Sequence, residues 1–329
     1  MTLIETSDNP VPEGAVVTTI RAADGMALRV ARWAPAGPCA GTVLIANGRA
    51  EFIEKYFEVV RDLLARGLGV VVFDWRGQGL SGRELDNSRK GHIDDFSLYE
   101  RDLEALAAQV LEPFCVKPWF ALGHSMGGSI LLAQARAGRS PFERIVLTAP
   151  MIDIYGIPLP RGARWLAETL DIVGLGGAFI PGGGNGSITS KPFKNNVLTS
   201  DEARYERFAG VARAAPAVSL GDPTIGWVNA AFRLMARFTN PEYPRRIVTP
   251  TLVLAAGADR VVDTRAVERF ATRLKAGRLV TIPHAQHEIL MERDTVREQF
   301  WAAFDAFVPG ARDEFFALRK AAAAAKAAR

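Results

Sequence analysis

The sequence predicts an α/β fold: a mostly parallel central sheet flanked by helices, with an inserted helical segment. Three observations point there. Six short, nearly continuous apolar runs recur along the chain with helical patterns between them, as strands buried on both faces of a parallel sheet read. A serine set among glycines, in FALGHSMGGSI (120–130), follows one of those runs and opens a helical pattern. Residues 151–250 hold no such run, far more chain than a strand–helix–strand connection needs.

Taken in order, residues 16–35 read as a hairpin, two alternating segments around Asp24-Gly25, a favoured turn pair. Strands are then expected at 42–47, 70–75, 119–124, 144–150, 251–257 and 278–284. Helices are expected at 53–66, ending at Gly67, and at 97–111, where Ser97 and Glu100 have the spacing of a capping box. Further helices are expected at 126–137 and 288–307, and Asp263 suits the N-cap of TRAVERFATRL. Residues 1–150 and 245–310 thus form the predicted core, 151–244 a helical cap containing the flexible PGGGNG (181–186), and 311–329 a basic, Ala-rich tail.

The chain has 329 residues, 48% of them hydrophobic, enough for a large buried core. Its net charge is +4, and the tail carries most of it through Arg312, Arg319, Lys320, Lys326 and Arg329 against Asp313 and Glu314. A body this close to neutral, without a basic patch interleaved with aromatics, excludes nucleic acid as the expected partner. The tail is compatible with a weak contact to an anionic membrane surface. The first residues, MTLIETSDNPVPEGA, do not read as a secretory signal, and no apolar run reaches the about 18 residues of a spanning helix, so the cytoplasm is the expected location. Cys39 and Cys115 fit no metal or redox spacing, so neither a metal nor a cofactor is expected.

Gly123-His124-Ser125-Met126-Gly127 fits G-x-S-x-G. In that turn a strand passes sharply into a helix and the serine takes a strained position at the carboxyl edge of the sheet. A serine hydroxyl needs a base. Of the four histidines, only His284 and His287 follow Ser125, and the turn demands the order Ser, acid, His. His287, three residues into the loop, is preferred over His284, which directly follows Pro283. His124 is expected to pack at the elbow with its ring turned from the nucleophile, and His92 to be structural. Asp259, just beyond the run ending at Gly257, is preferred as the acid; Asp263 is better placed as a cap. The oxyanion donors are expected to be the amides of Met126 and Arg49. Asn47, Trp227 and Phe232 are expected to touch substrate, with Trp165 and Phe179 as further candidates for an apolar acyl pocket. The Arg49 side chain either holds a phosphate or carboxylate or pairs with Glu51 or Glu54.

NGRAEFIEKY (47–56), FDWRGQGLSG (73–82), GHSMGG (123–128), GADRVVD (257–263) and HEILME (287–292) together resemble the α/β-hydrolase family. Within it they are similar to the serine-hydrolase branch of lysophospholipases and monoacylglycerol lipases, and with LTSDEARY and GWVNAAFR to bacterial lysophospholipase L2-type proteins. The resemblance covers about residues 15–305. It implies an α/β-hydrolase fold with a cap, hydrolysis of a lysophospholipid, monoacylglycerol or related small lipid ester, Ser125, Asp259 and His287 as the triad, and the Asp74–Ser81 loop as support. Many relatives carry His-Gly where this chain has Asn47-Gly48; the donor being a backbone amide, the departure bears on substrate preference. The same triad also serves haloperoxidases and acyltransferases, and an inactive scaffold of this kind can act as a binding module.

Overall fold

The computed structural model describes residues 2–157, 160–187 and 191–309. Eight strands form one sheet: β1 (Val16–Arg21), β2 (Ala27–Trp33), β3 (Thr42–Ala46), β4 (Gly69–Phe73), β5 (Trp119–His124), β6 (Arg144–Thr148), β7 (Thr251–Ala256) and β8 (Gly277–Ile282). Their order is β1-β2-β4-β3-β5-β6-β7-β8. β2 runs antiparallel to both its neighbours, and every other pair is parallel. Every residue of β3, β4, β5 and β7 is buried, whereas the edge strands β1 and β8 expose much of their length. Continuous apolar runs mark the first group because helices cover both faces of those strands.

The chain leaves β3 for β4 on one side and returns to β5 on the other. The strand order therefore reverses between β3 and β5, and the crevice beyond their carboxyl ends is where open α/β sheets bind ligands. The loops after these two strands carry Arg49 and Ser125.

Helix α1 (Phe57–Leu64), entered through a 3₁₀ turn at Ile53–Tyr56, buries Phe57, Val59, Val60 and Leu63. It ends as expected at Gly67 (φ +72°), with the Leu68 amide donating to Leu63 O (3.1 Å) and the Gly67 amide to Leu64 O (3.0 Å). Helix α2 (Ser97–Leu106) widens into a π turn at Ala107–Leu111. Its expected capping box does not form: Asp95 Oδ1 accepts from the Ser97 amide (2.7 Å), and Glu100 takes Arg139 Nη2 (2.5 Å). The chain is already helical at Phe96, which leaves the cap to the residue before it. Helix α3 (Met126–Arg136) follows β5.

Between β6 and β7 lie α4 (Pro160–Leu170), α5 (Glu202–Ala214) and α6 (Ile225–Phe238). Asp201 caps α5 and Thr224 caps α6 through their side-chain oxygens. Residues of α4 and α6 join the main apolar cluster, while Phe208, Val211 and Ala212 of α5 close on Phe52 and Val218. The outer side of this insert leaves Trp165, Leu166, Ile172, Val173 and Leu175 exposed. Helix α7 (Thr264–Ala271) is capped by Asp263 as expected. Helix α8 (Asp294–Phe307) begins six residues later than the expected start at 288, because only a short 3₁₀ turn, Ile289–Met291, follows His287. The tail 311–329 lies outside the described residues. Among the described residues no helix is long and apolar enough to cross a membrane.

The loop after β4 braces the site. Asp74 accepts Arg29 Nε (2.7 Å) and the amides of Ile53 (3.0 Å) and Leu80 (2.8 Å). Arg29 also reaches both oxygens of Glu54 (2.7 and 2.9 Å), and all three side chains are fully buried. Arg76 forks onto Asp102, with Asp24 beside it. Removing any one partner would strand a buried charge, so these clusters lock the loop to the sheet.

Candidate active site

The glycines around Ser125 have a steric reason. Ser125 sits at φ +48°, ψ −115°, a conformation an L-residue holds only where its surroundings over-determine it. Its amide donates to Thr148 O (3.0 Å), and its carbonyl accepts from Ser129 (3.2 Å) and Met151 (3.1 Å). A Cβ on Gly127 would stand 2.1 Å from Ala46 O, and one on Gly123 would stand 2.9 Å from the Cα of Gly128. Strand β3, the elbow and α3 are thus in contact through their backbones, and only glycine fits between them.

The loop after β3 commits its amides selectively. The Gly48 amide donates to Glu51 Oε2 (2.5 Å) and the Ala50 amide to Gln78 Oε1 (2.5 Å). The Arg49 amide between them makes no hydrogen bond among the described residues. The Met126 amide opens α3, where an N–H has no intrahelical acceptor. Arg49 and Met126 both line one cavity of about 250 Å³ with Ser125, His287, Glu288 and Trp227.

His287 Nδ1 lies 2.8 Å from Asp259 Oδ2. Asp259 Oδ1 accepts the amides of Val261 (2.7 Å) and Val262 (3.0 Å). Burial works to raise the Asp259 carboxyl, but the bond from His287 and the two amides outweigh it and hold it below the usual carboxylate range. An ionised carboxylate only accepts, so the proton sits on Nδ1 of His287 and a neutral ring keeps its lone pair on Nε2.

The remaining candidates sort themselves by position. His284 occupies an exposed turn at φ +62°. His92 bonds Thr224 Oγ1 (2.9 Å) and Asp94 Oδ1 (3.0 Å), a structural role as expected. His124 does not simply pack away from the site: it lines the cavity, its ring centre 4.8 Å from that of His287, and burial drives it down to about 3, keeping it neutral.

Two residues expected to touch substrate, Asn47 and Phe232, do not line this cavity. Asn47 is fully buried, its Nδ2 donating to Phe73 O (2.8 Å), so its side chain ties the end of β3 to β4, while its backbone carbonyl accepts Trp75 Nε1 (2.9 Å). Phe232 is buried in the main apolar cluster under the Arg164 guanidinium and is not in the cavity wall. Trp165 is 67% exposed on the outer side of the insert, and Phe179 lies under Lys90, bridged to Thr224. Trp227 does line the cavity.

The Arg49 side chain pairs with neither Glu51 nor Glu54. Its Nη2 donates to Gly221 O (2.9 Å), the guanidinium lies 5.2 Å from the Trp227 ring centre, and Nε is buried without a partner. Burial pushes it down to about 10, against the pull of Tyr99 and Asp222. Both glutamates are taken elsewhere: Glu54 by Arg29, and Glu51 by Lys55, Tyr56 and the Gly48 amide.

The sequence assigns no role to Lys55 or Glu288, and offers Glu51 only as a partner for Arg49. Lys55 Nζ lies 2.7 Å from Glu51 Oε1 and 2.6 Å from Glu288 Oε1, all three buried. The four-residue spacing of Glu51 and Lys55 was a readable signal; the partner at 288 was not.

Comparison with known proteins places the chain in a family. The family model described as serine aminopeptidase, S33 (hydrolase 4) matches residues 37–294. Lysophospholipase L2 of Escherichia coli is 34% identical over 268 residues, covering 78% of this chain and 76% of its own. Probable lysophospholipase L2 of Haemophilus influenzae is 30% identical over 268 residues, covering 81% and 83%. Among solved structures, a soluble variant of monoglyceride lipase from Saccharomyces cerevisiae superposes with a TM-score of 0.71 at 19% identity, over 90% of this chain and 96% of that one, which shows the shared fold. With the family model spanning most of the chain and the sheet order and elbow in place, this chain is a hydrolase that belongs to the serine aminopeptidase S33 family of α/β-hydrolases.

Proposed function

We propose that the protein is a serine carboxylic-ester hydrolase acting on a lysophospholipid, a monoacylglycerol or a related small lipid ester. The observation that carries the reading is His287, bonded from behind by Asp259, on the wall of the same cavity as Ser125, which is held at a strained elbow. Ser125 Oγ attacks the ester carbonyl as His287 Nε2 takes its proton, and the tetrahedral oxyanion rests on the Arg49 and Met126 amides. Collapse expels the alcohol, which receives the proton from His287. Water, activated by the same imidazole, then hydrolyses the acyl-enzyme.

Similarity to proteins named lysophospholipase L2 and monoglyceride lipase supports a lipid ester over other acyl donors. We read residues 151–244 as a cap, since Trp227 and Phe208 bring apolar surface from this segment to the cavity. The free thiols of Cys39 and Cys115 fit a reducing compartment such as the cytoplasm. The test is a panel of p-nitrophenyl esters from acetate to palmitate, run beside lysophosphatidylcholine and monoolein, with Ser125→Ala as control. Hydrolysis of one or both lipids that vanishes in Ser125→Ala supports the reading, and turnover of neither lipid nor any ester removes it.

Arg49 offers a basis for choosing between these lipids. Its guanidinium lies against Gly221 and Trp227, both on the cavity wall, without a bonded carboxylate, although Asp222 shares the lining. A phosphate there would gain charge-assisted hydrogen bonds. Arg49→Ala is expected to lower kcat/KM on lysophosphatidylcholine about tenfold more than on monoolein, since such a bond contributes about 1.5–3 kcal/mol. An unchanged ratio of the two activities would remove the phosphate clamp and leave Arg49 a structural ligand of Gly221.

A further inference from the structure

The oxyanion loop and the histidine loop are far apart in sequence, yet one buried cation joins them. Lys55 Nζ sits 2.7 Å from Glu51 Oε1 and 2.6 Å from Glu288 Oε1. Glu51 Oε2 accepts the Gly48 amide (2.5 Å) and Tyr56 Oη (2.6 Å), which sets the turn that leaves the Arg49 amide unbonded. Glu288 follows His287 directly, and its own amide donates to Leu198 O of the insert (2.8 Å). A third side of the ammonium faces the Phe208 ring of α5 at 4.4 Å. His124 closes the cluster, with Nε2 3.7 Å from Glu51 Oε1 and its ring against His287.

The arrangement is more than charge burial for stability. Two carboxylates share a single ammonium, and buried ion pairs of this kind are weak sources of net stability. What they do is fix geometry, because losing any member leaves an uncompensated charge. Glu288 is the residue after the base His287, and Glu51 bonds the amide of Gly48, the residue before the oxyanion donor Arg49. Resting on the reading above, we propose that Lys55 is a positioning residue that clamps the oxyanion loop, through Glu51, and the base loop, through Glu288, into one rigid unit. The substrate itself never meets the clamp's ammonium.

The prediction concerns turnover rather than binding. Small misplacement of reacting groups costs about 10²-fold in rate. Lys55→Met is therefore expected to lower kcat on p-nitrophenyl butyrate about 10²-fold with KM changed less than threefold, in protein whose thermal melting shows it folded. Adding Glu288→Gln to Lys55→Met removes one stranded carboxylate and is expected to recover at least fivefold in kcat, so the two changes are non-additive. Glu288→Gln alone, which keeps shape and leaves Lys55 with Glu51, is expected to lower kcat about tenfold, and it carries the test should Lys55→Met fail to fold. Folded Lys55→Met with kcat within threefold of the parent overturns the proposal. So does Glu288→Gln at parental kcat, or a strictly multiplicative double variant. Failure of the parent enzyme to label at Ser125 with a fluorophosphonate would instead bring down the hydrolase reading, which separates the two failures.

Discussion

Asp259→Asn is expected to lower kcat by about 10⁴-fold while the protein stays folded. The size follows from the hydrogen bonds around the carboxylate. Asp259 Oδ1 is held by two amides, Val261 and Val262. An asparagine would place its only acceptor there and present its NH₂ to His287 Nδ1. Nδ1 would then have to accept, which moves the ring proton to Nε2, where it blocks removal of the serine proton. KM should change little, because Asp259 lies behind His287 rather than against the substrate. Steady-state kinetics with a p-nitrophenyl ester, together with a melting curve, checks both halves. A loss below tenfold would mean that the imidazole is oriented by something else.

Gly127→Ala is expected to have the largest effect on the scaffold. The new Cβ would fall 2.1 Å from Ala46 O and 2.6 Å from both Ala46 C and Asn47 O. These are backbone atoms at the end of β3, so no rotamer change relieves the clash. Either α3 must lift from the sheet, opening the elbow, or the oxyanion loop must shift. Overpacking of this kind costs about 1–3 kcal/mol and sometimes more, and displaced donors cost about 10²-fold in kcat. Gly184→Ala is the control: nothing lies within 4 Å of its Cβ, and its effect should stay within about 0.5 kcal/mol. Thermal melting and kcat of the two variants are read side by side.

Much of the framework is legible in the sequence because it rests on local rules. Six apolar runs locate the six parallel strands, since a strand buried on both faces has little room for polar residues. The elbow is readable because backbone contact admits only glycine at 123 and 127. Asp259 and His287 follow from chain order and strand ends, and they do meet. The misses share a different cause. Whether the Asn47 side chain faces substrate or bonds Phe73 O depends on how β3 lies beside β4. Phe232 and Trp165 share an aromatic character and sit in helices of the same insert, but one is buried in the core and the other faces outward. That Arg49 finds the Gly221 carbonyl and Lys55 the carboxylate of Glu288 is decided by loops arriving together, and a local pattern carries no record of that. His124 is a similar case: its neighbour His287 is brought to it only by the return of the chain from β8.

Hydrolysis at this site requires a nucleophile at residue 125. The most direct measurement is treatment of the folded protein with a fluorophosphonate probe, followed by mass spectrometry of the peptides. One adduct is expected, on Ser125, absent in Ser125→Ala and strongly slowed in His287→Ala. A folded protein that takes up no label, or takes it up on another residue, would contradict it.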